Sequence, residues 1–331
     1  MNRLVPPPLR AGDLIRVIAP SMSKAVVDEH DHSARIEQRL RALGLRLSYA
    51  EHIDERDAFS SAAIEHRLAD LHAAFTDTAV AGILTVIGGA NANELLPQID
   101  WELIAAHPKT FCGYSDITAL QAAMLARAGL VTFSGPHWSS FGMRDHFEAT
   151  LESFRRTLFE REPVAVGAAD VFSDDPWFLD QDLRVRSESD GWWRLSEGEA
   201  SGTIVGGNLC TLNLLQGTPY MPSLAGAVLI VEDDAGSDVQ DVARNLTSLL
   251  QLPDASELRG LVIGRFQHET QMTRALMAEI CARQPALAGV PVLANCDVGH
   301  TFPMATVPIG GHAEMSARRA VPRLVVAVSK K

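Results

Sequence analysis

The sequence predicts an α/β protein: an N-terminal, mostly parallel sheet flanked by helices, followed by a second, C-terminal α/β domain. Three observations carry this. From residue 14 onward, short apolar and β-branched runs alternate with helix-length amphipathic stretches, the pattern of strands joined by crossover helices. The chain has 331 residues, long for one core and ordinary for two domains. Hydrophobic residues make up 47%, enough to fill two cores and too many for a disordered chain.

Element by element, Leu14 to Ala19 reads as a buried first strand ending at Pro20-Ser21. Val27 to Leu43 has helical spacing, with Gly44 as its stop. Ile64 to Phe75 is a second helix, and Ala81 to Ile87 a strand broken by Gly88-Gly89. Asn93 to Leu96 begins a short helix; Thr110 to Cys112 is a strand, and Thr118 to Ala128 the helix that follows it. After about residue 150 the pattern changes. Pro163 to Val166 reads as a strand, and Asp170 to Trp193 is polar, Trp- and Asp-rich and without period, as functional loops and linkers are. Beyond it lie strands at Ser201 to Val205, Ala227 to Glu232, Leu261 to Gly264 and Val290 to Ala294. Helices fall at Leu209 to Gln216, Val239 to Leu250 and Thr273 to Arg283. The expected division is an N-terminal domain over residues 1–165, a linker over 166–194 and a C-terminal domain over 195–331.

The net charge of −12 argues against a nucleic-acid or membrane-surface partner and leaves a small molecule as the expected ligand. No run approaches the roughly 18 apolar residues of a membrane helix, and Met1 to Pro8 carries no apolar signal core. Cys112, Cys210, Cys281 and Cys296 are far apart and form neither a CxxC pair nor a Cys/His metal pattern, which reads as reduced thiols in a cytoplasmic protein. GxGxxG after a strand, GxxxxGK[ST] and HExxH are all missing, so neither a dinucleotide cofactor nor zinc peptidase chemistry is expected.

The chemistry concentrates at Phe111-Cys112-Gly113-Tyr114-Ser115-Asp116-Ile117. A serine at a strand-to-helix turn exposes its hydroxyl near the positive end of the next helix. The last glycine of the lipase-type GxSxG elbow is missing, which argues against an ordinary α/β-hydrolase. Glu232 ends the run Ala227 to Val231, and His300 follows the last strand by a short turn. Ser115, Glu232 and His300 all lie just past the C-terminal ends of strands, where open α/β sheets place their sites. Together they fit acyl transfer, with Ser115 attacking, His300 as base and then acid, and Glu232 fixing the imidazole. Backbone N–H groups of Asp116 and of the Gly88-Gly89 turn could hold the oxyanion. Each piece also has a plainer reading, as helix cap, solvated acidic loop, one of eleven histidines, or ordinary turn.

At this point the chain resembles the serine peptidases that include bacterial LD-carboxypeptidases and the microcin C self-immunity proteins. The matching stretches are Gly12-Asp13 through Ser21, Ile87-Gly88-Gly89, Phe111 to Asp116, Gly206-Gly207-Asn208-Leu209, Leu229 to Asp233, Gly264-Arg265-Phe266 and Asp297 to His300. The resemblance implies a Ser115-Glu232-His300 triad and an oxyanion hole at the backbone of Gly89 and Asp116. It further implies a metal-free site at the domain interface, a cytoplasmic location and a homodimer. Thr132 to His137, Ser173 to Trp177 and Pro219 to Pro222 are more similar to the microcin-immunity branch. That branch hydrolyses the amide between an amino acid and a nucleotide-like group. A loop aromatic stacks on the base, here Trp177 by position before Trp192 or Trp193; stacking contributes roughly 1–3 kcal/mol. Asn208 is the other expected substrate contact, or else a helix cap. One departure is the segment Asp233-Asp234-Ala235-Gly236-Ser237, which has no lysine to hold a phosphate-like group. The expected function is a serine amidase acting on aminoacyl- or peptidyl-nucleotide antibiotics. The alternatives are an LD-carboxypeptidase releasing a terminal D-amino acid from muropeptides, an esterase, and a non-catalytic small-ligand binder.

Overall fold

Two sheets organise the chain in the computed structural model, which describes residues 3–27, 32–318 and 321–330. Among the described residues, the first sheet runs in the order Val307–Ile309, Thr132–Ser134, Thr110–Gly113, Val80–Thr85, Leu14–Ile18, Arg46–Tyr49. Its last five strands in that order pair in parallel; Val307–Ile309, from the far end of the chain, adds antiparallel against Thr132–Ser134. The connections from Leu14–Ile18 and Val80–Thr85 leave the sheet beside each other at a switch point, and a crevice opens there.

The second sheet runs Val164–Val166, Arg323–Ala327, His312–Ser316, Glu199–Asn208, Ala227–Glu232, Gly260–Gly264, Val292–Cys296, Trp193–Ser196. Its four central strands, Glu199–Asn208 through Val292–Cys296, are parallel. Ala227–Glu232, Gly260–Gly264 and Val292–Cys296 are buried at every residue. That is why they read as unbroken apolar runs rather than alternating ones. The Val239–Leu250 helix covers this sheet, and Asp238 starts it with a reciprocal capping box to Asp241.

Several expectations shift. The helix expected over Val27 to Leu43 is described as Lys24–Val27 and Ser33–Ala42, with residues 28–31 of that span outside the described residues. The strand expected at Ser201 to Val205 extends over Glu199–Asn208. Its first half pairs antiparallel with His312–Ser316 and its second half parallel with Ala227–Glu232. The glycines at 202, 206 and 207 weaken the strand signal in the sequence. Asp170 to Trp193 includes a small ribbon, Val171–Phe172 against Ser187–Glu188. Polar bonds order the segment: buried Arg184 donates to Asp175 Oδ1 at 2.8 Å and to Ser173 Oγ at 2.7 Å.

Candidate functional site

The Thr110–Gly113 strand ends at Tyr114, and the chain turns sharply into a 3-10 turn at Ser115–Ile117 and then the Thr118–Ala128 helix. Ser115 makes that turn at φ +64°, in the left-handed region that a residue with a Cβ seldom adopts. Such local strain is held only by its surroundings. Here the buried Asp116 carboxylate holds it, accepting from Ser21 Oγ at 2.6 Å and from the Ala92 N–H at 2.8 Å. Gly88 packs directly on the serine. A Cβ at residue 88 would lie 2.7 Å from Ser115 Cβ and 2.9 Å from its Oγ, so only glycine leaves the hydroxyl room. Gly88, Gly89 and Ser115 line one cleft.

The second sheet supplies the other two side chains. Glu232 is the last residue of its strand and is 5% exposed; its Oε2 lies 2.6 Å from His300 Nδ1. Gly299 makes this approach possible. It sits at φ +101°, and a Cβ there would fall 2.4 Å from Glu232 Oε2. With Nδ1 held by the carboxylate, the neutral imidazole presents Nε2 as its basic atom. Burial alone would lower the His300 pKa. The charge and hydrogen bond of Glu232, with Asp234 and Asp233 behind it, more than offset this, and the pKa stands above the ordinary value. Among the described residues, the Ser115 hydroxyl and His300 share no hydrogen bond, though both face the cleft. In unliganded sites such bonds are commonly long and tighten only around substrate.

Sequence reasoning did not find the aromatic stack beside His300. The Tyr114 ring stacks on His137 at 4.5 Å and meets His300 at 4.9 Å. His137 is buried against Ser139 and Ser140, with Nδ1 at 2.9 and 3.0 Å from their hydroxyls. Burial, with the nearby His300, drops its pKa to about 3, so it stays neutral beside the base. The available signal was the tyrosine directly before the serine.

The cleft encloses about 770 Å³. Its lining includes the apolar Trp177, Phe178 and Ile36 and the polar Asp174, Gln267 and Glu269. Of the three tryptophans considered, Trp177 is the one among these lining residues. The Trp192 indole donates to Asp297 Oδ2 at 2.7 Å, away from the cleft. Trp193 donates to Asp190 and lines a separate cavity of about 400 Å³ beside Arg265 and Asn295. Asn208 takes its plainer reading. It is 2% exposed, its Oδ1 caps the Leu209–Asn213 helix by accepting from the Thr211 N–H, and its Nδ2 donates to Asp233 Oδ1. Asn208 thus serves as the helix cap, with one bond made by each end of its amide; its contact with ligand remains a proposal. Ala235 faces the cleft from the segment after Glu232, and no lysine or arginine is among the described lining residues.

The chain matches the LD-carboxypeptidase N-terminal domain over residues 15–135 and the LD-carboxypeptidase C-terminal domain over residues 201–315. It is 43% identical to "Putative carboxypeptidase YocD" of Bacillus subtilis (strain 168), over 96% of this chain and 97% of that protein. Among solved structures it is similar to an MccF-like protein from Bacillus anthracis str. Ames, with TM-score 0.95 and 41% identity, covering 98% of this chain and 99% of that one. It is also similar to MccF in complex with glutamyl sulfamoyl guanosine, with TM-score 0.86 and 26% identity, covering 97% and 98%.

Proposed function

The chain belongs to the LD-carboxypeptidase family of serine peptidases, and within it we propose an amidase in which Ser115, Glu232 and His300 form the catalytic triad. Ser115 Oγ attacks the amide carbonyl as His300 Nε2 takes its proton. The N–H groups of Asp116 and Gly89 hold the oxyanion. On collapse the C–N bond breaks, His300 returns the proton to the leaving nitrogen, and the acyl group remains on Ser115. A water then attacks the ester, activated by the same imidazole, and frees the serine. Glu232 holds the tautomer and stabilises the imidazolium at each step.

The proposed substrate is an amide joining an aminoacyl or peptidyl group to a nucleotide-like group. One observation carries this choice: Trp177 lines the same cleft as Ser115 and His300, where its indole can stack on a base. The similarity to a protein in complex with glutamyl sulfamoyl guanosine supports it. Charge recognition would play little part, because the lining residues described include carboxylates and no lysine or arginine. The second reading is cleavage of the L,D amide of a muropeptide. The lack of a cation among the described lining residues bears equally on its terminal carboxylate and on a nucleotide's phosphate-like group; the aromatic lining distinguishes the two. From the family resemblance we place the enzyme in the cytoplasm as a homodimer.

The test is mass-spectrometric cleavage by wild type and Ser115→Ala of an aminoacyl sulfamoyl nucleoside and an L,D-muropeptide side by side. Ser115-dependent cleavage of the nucleoside alone supports the proposal, and Ser115→Ala should still bind it. Cleavage of the muropeptide alone replaces it with the recycling reading. Binding without cleavage by wild type would leave a ligand-binding protein.

A further inference from the structure

Away from the cleft, three side chains from separate places converge. His52 lies in the turn after the Arg46–Tyr49 strand, Glu55 just beyond it, and His66 in the first turns of the Ile64–Thr76 helix. His52 Nδ1 lies 2.8 Å from Glu55 Oε1, and His66 Nδ1 lies 2.5 Å from Oε2. The two imidazoles stack at 4.1 Å with 15° between their planes. One ligand atom from each of the three groups falls within 4.8 Å of the others.

We propose that His52, Glu55 and His66 form a surface site for a divalent transition-metal cation of the zinc type, completed by water. Two imidazoles and a carboxylate are a donor set that such cations prefer. A dication between the donors would be shared by both imidazoles and the carboxylate, whose ligand atoms already lie close together. The surroundings add negative charge. The Asp70 carboxylate accepts from the His52 N–H at 3.1 Å, and Glu51 adjoins it in the chain. Donors of a tetrahedral zinc site stand about 3.3 Å apart, given bonds of about 2.0–2.1 Å. Both rings are partly exposed, with side-chain exposures of 20% and 42%, so modest rotations reach that spacing.

Such a cation would clamp residues 52–55 to the helix. That segment supports one wall of the cleft: Ile53 O accepts from the Lys24 N–H at 3.0 Å, Ser60 O from the Ser23 N–H at 2.8 Å, and the Met22 N–H donates to Gly88 O at 3.2 Å. The inference stands independently of the proposed reaction.

The experiment is equilibrium dialysis of chelator-stripped, full-length protein against zinc chloride, with cobalt(II) absorption as a readout of tetrahedral coordination. The expected result is one saturable cation per chain, weakened at least about tenfold in His52→Ala/His66→Ala and in Glu55→Gln, whose circular dichroism should match wild type. Zinc should also raise the wild-type melting temperature and leave that of the double variant unchanged. No saturable binding at roughly 100 µM zinc, or equal binding by wild type and the double variant, overturns the proposal; the second result would put the cation on other histidines.

Discussion

Replacing Glu232 by glutamine tests the proposed triad at its most buried point. The carboxylate lies 2.6 Å from His300 Nδ1 and is 5% exposed, so the side chain of nearly equal size keeps the packing and loses only the charge. A charge-assisted bond contributes about 1.5–3 kcal/mol and a neutral one about 0.5–1.5. If the amide oxygen faces Nδ1, the difference of roughly 1–1.5 kcal/mol sets a floor of about tenfold on the rate. If the amide NH₂ faces it, the tautomer inverts and Nε2 carries a proton, and losses approach about 10⁴-fold. The pH profile must move as well. The carboxylate is what lifts His300 above its ordinary value against the lowering by burial. Without that charge the imidazole titrates lower, and the acid limb of the profile shifts to lower pH. Stability follows the same sign. With a raised folded pKa, the pair's stabilisation is complete below the unfolded imidazole value of about 6.5 and fades as pH rises through the folded value. Glu232→Gln should therefore lose most stability at acid pH. The assay is the rate at which a fluorophosphonate labels Ser115 across pH, with Ser115→Ala as blank, which needs no knowledge of the natural substrate. Wild-type labelling rates in Glu232→Gln, or a slower rate with an unmoved acid limb, would refute the reasoning.

Gly299→Ala should lower kcat/KM at least about 100-fold, because its Cβ would fall 2.4 Å from Glu232 Oε2 at φ +101°; strain of about 1–3 kcal/mol should appear as a lower melting temperature, and wild-type turnover would sink the assignment. Trp177→Ala should raise KM for an aminoacyl nucleoside by roughly 5- to 150-fold, equivalent to about 1–3 kcal/mol of lost stacking. Equal loss on an aminoacyl anilide without a base would show the effect to be packing. Burial, reinforced by Glu232 and Asp234, pushes the Asp233 pKa up to about 6. Wild type should thus lose stability as pH rises from the unfolded value of about 3.9 through 6. Thermal melts of Asp233→Asn should gain on wild type between about pH 4 and 6 and level off above that, and a constant difference across this range would contradict this.

The strands that end at the site were legible because they are buried on both faces. Ala227–Glu232 and Val239–Leu250 have the bounds read from the sequence. The Ser115 turn was legible for a related reason: a strand and a helix with almost nothing between them leave only a sharp turn. The antiparallel strands His312–Ser316, Arg323–Ala327 and Val307–Ile309 were not. Each has at least one partner remote in sequence: His312–Ser316 pairs with Glu199–Asn208, Val307–Ile309 with Thr132–Ser134, and Arg323–Ala327 with Val164–Val166 as well as with its hairpin neighbour. Trp177 was preferred over Trp192 and Trp193 by position alone. The physical difference, Asp297 and Asp190 occupying the other two indoles, shows only in the structure.

The site divides unevenly between the two sheets. Glu232 ends a strand of one sheet and His300 lies in the loop after another strand of it, and a short hydrogen bond joins them directly. Ser115 comes from the other sheet and meets that pair across a seam. At the seam, the Asn208 N–H donates to Thr118 Oγ1 at 2.9 Å, and Tyr114 packs on His300. The Glu232–His300 contact is therefore made within one half, whereas the distance from Ser115 to the imidazole depends on how the two halves meet. In the proposed reaction, a substrate in the cleft shared by Trp177 and Ser115 would touch both halves. Binding energy gained at Trp177, remote from the proposed scissile bond, would then help bring the serine and imidazole together and appear in kcat as well as in KM. With no lysine or arginine among the described lining residues, the proposal makes that coupling the main source of selectivity.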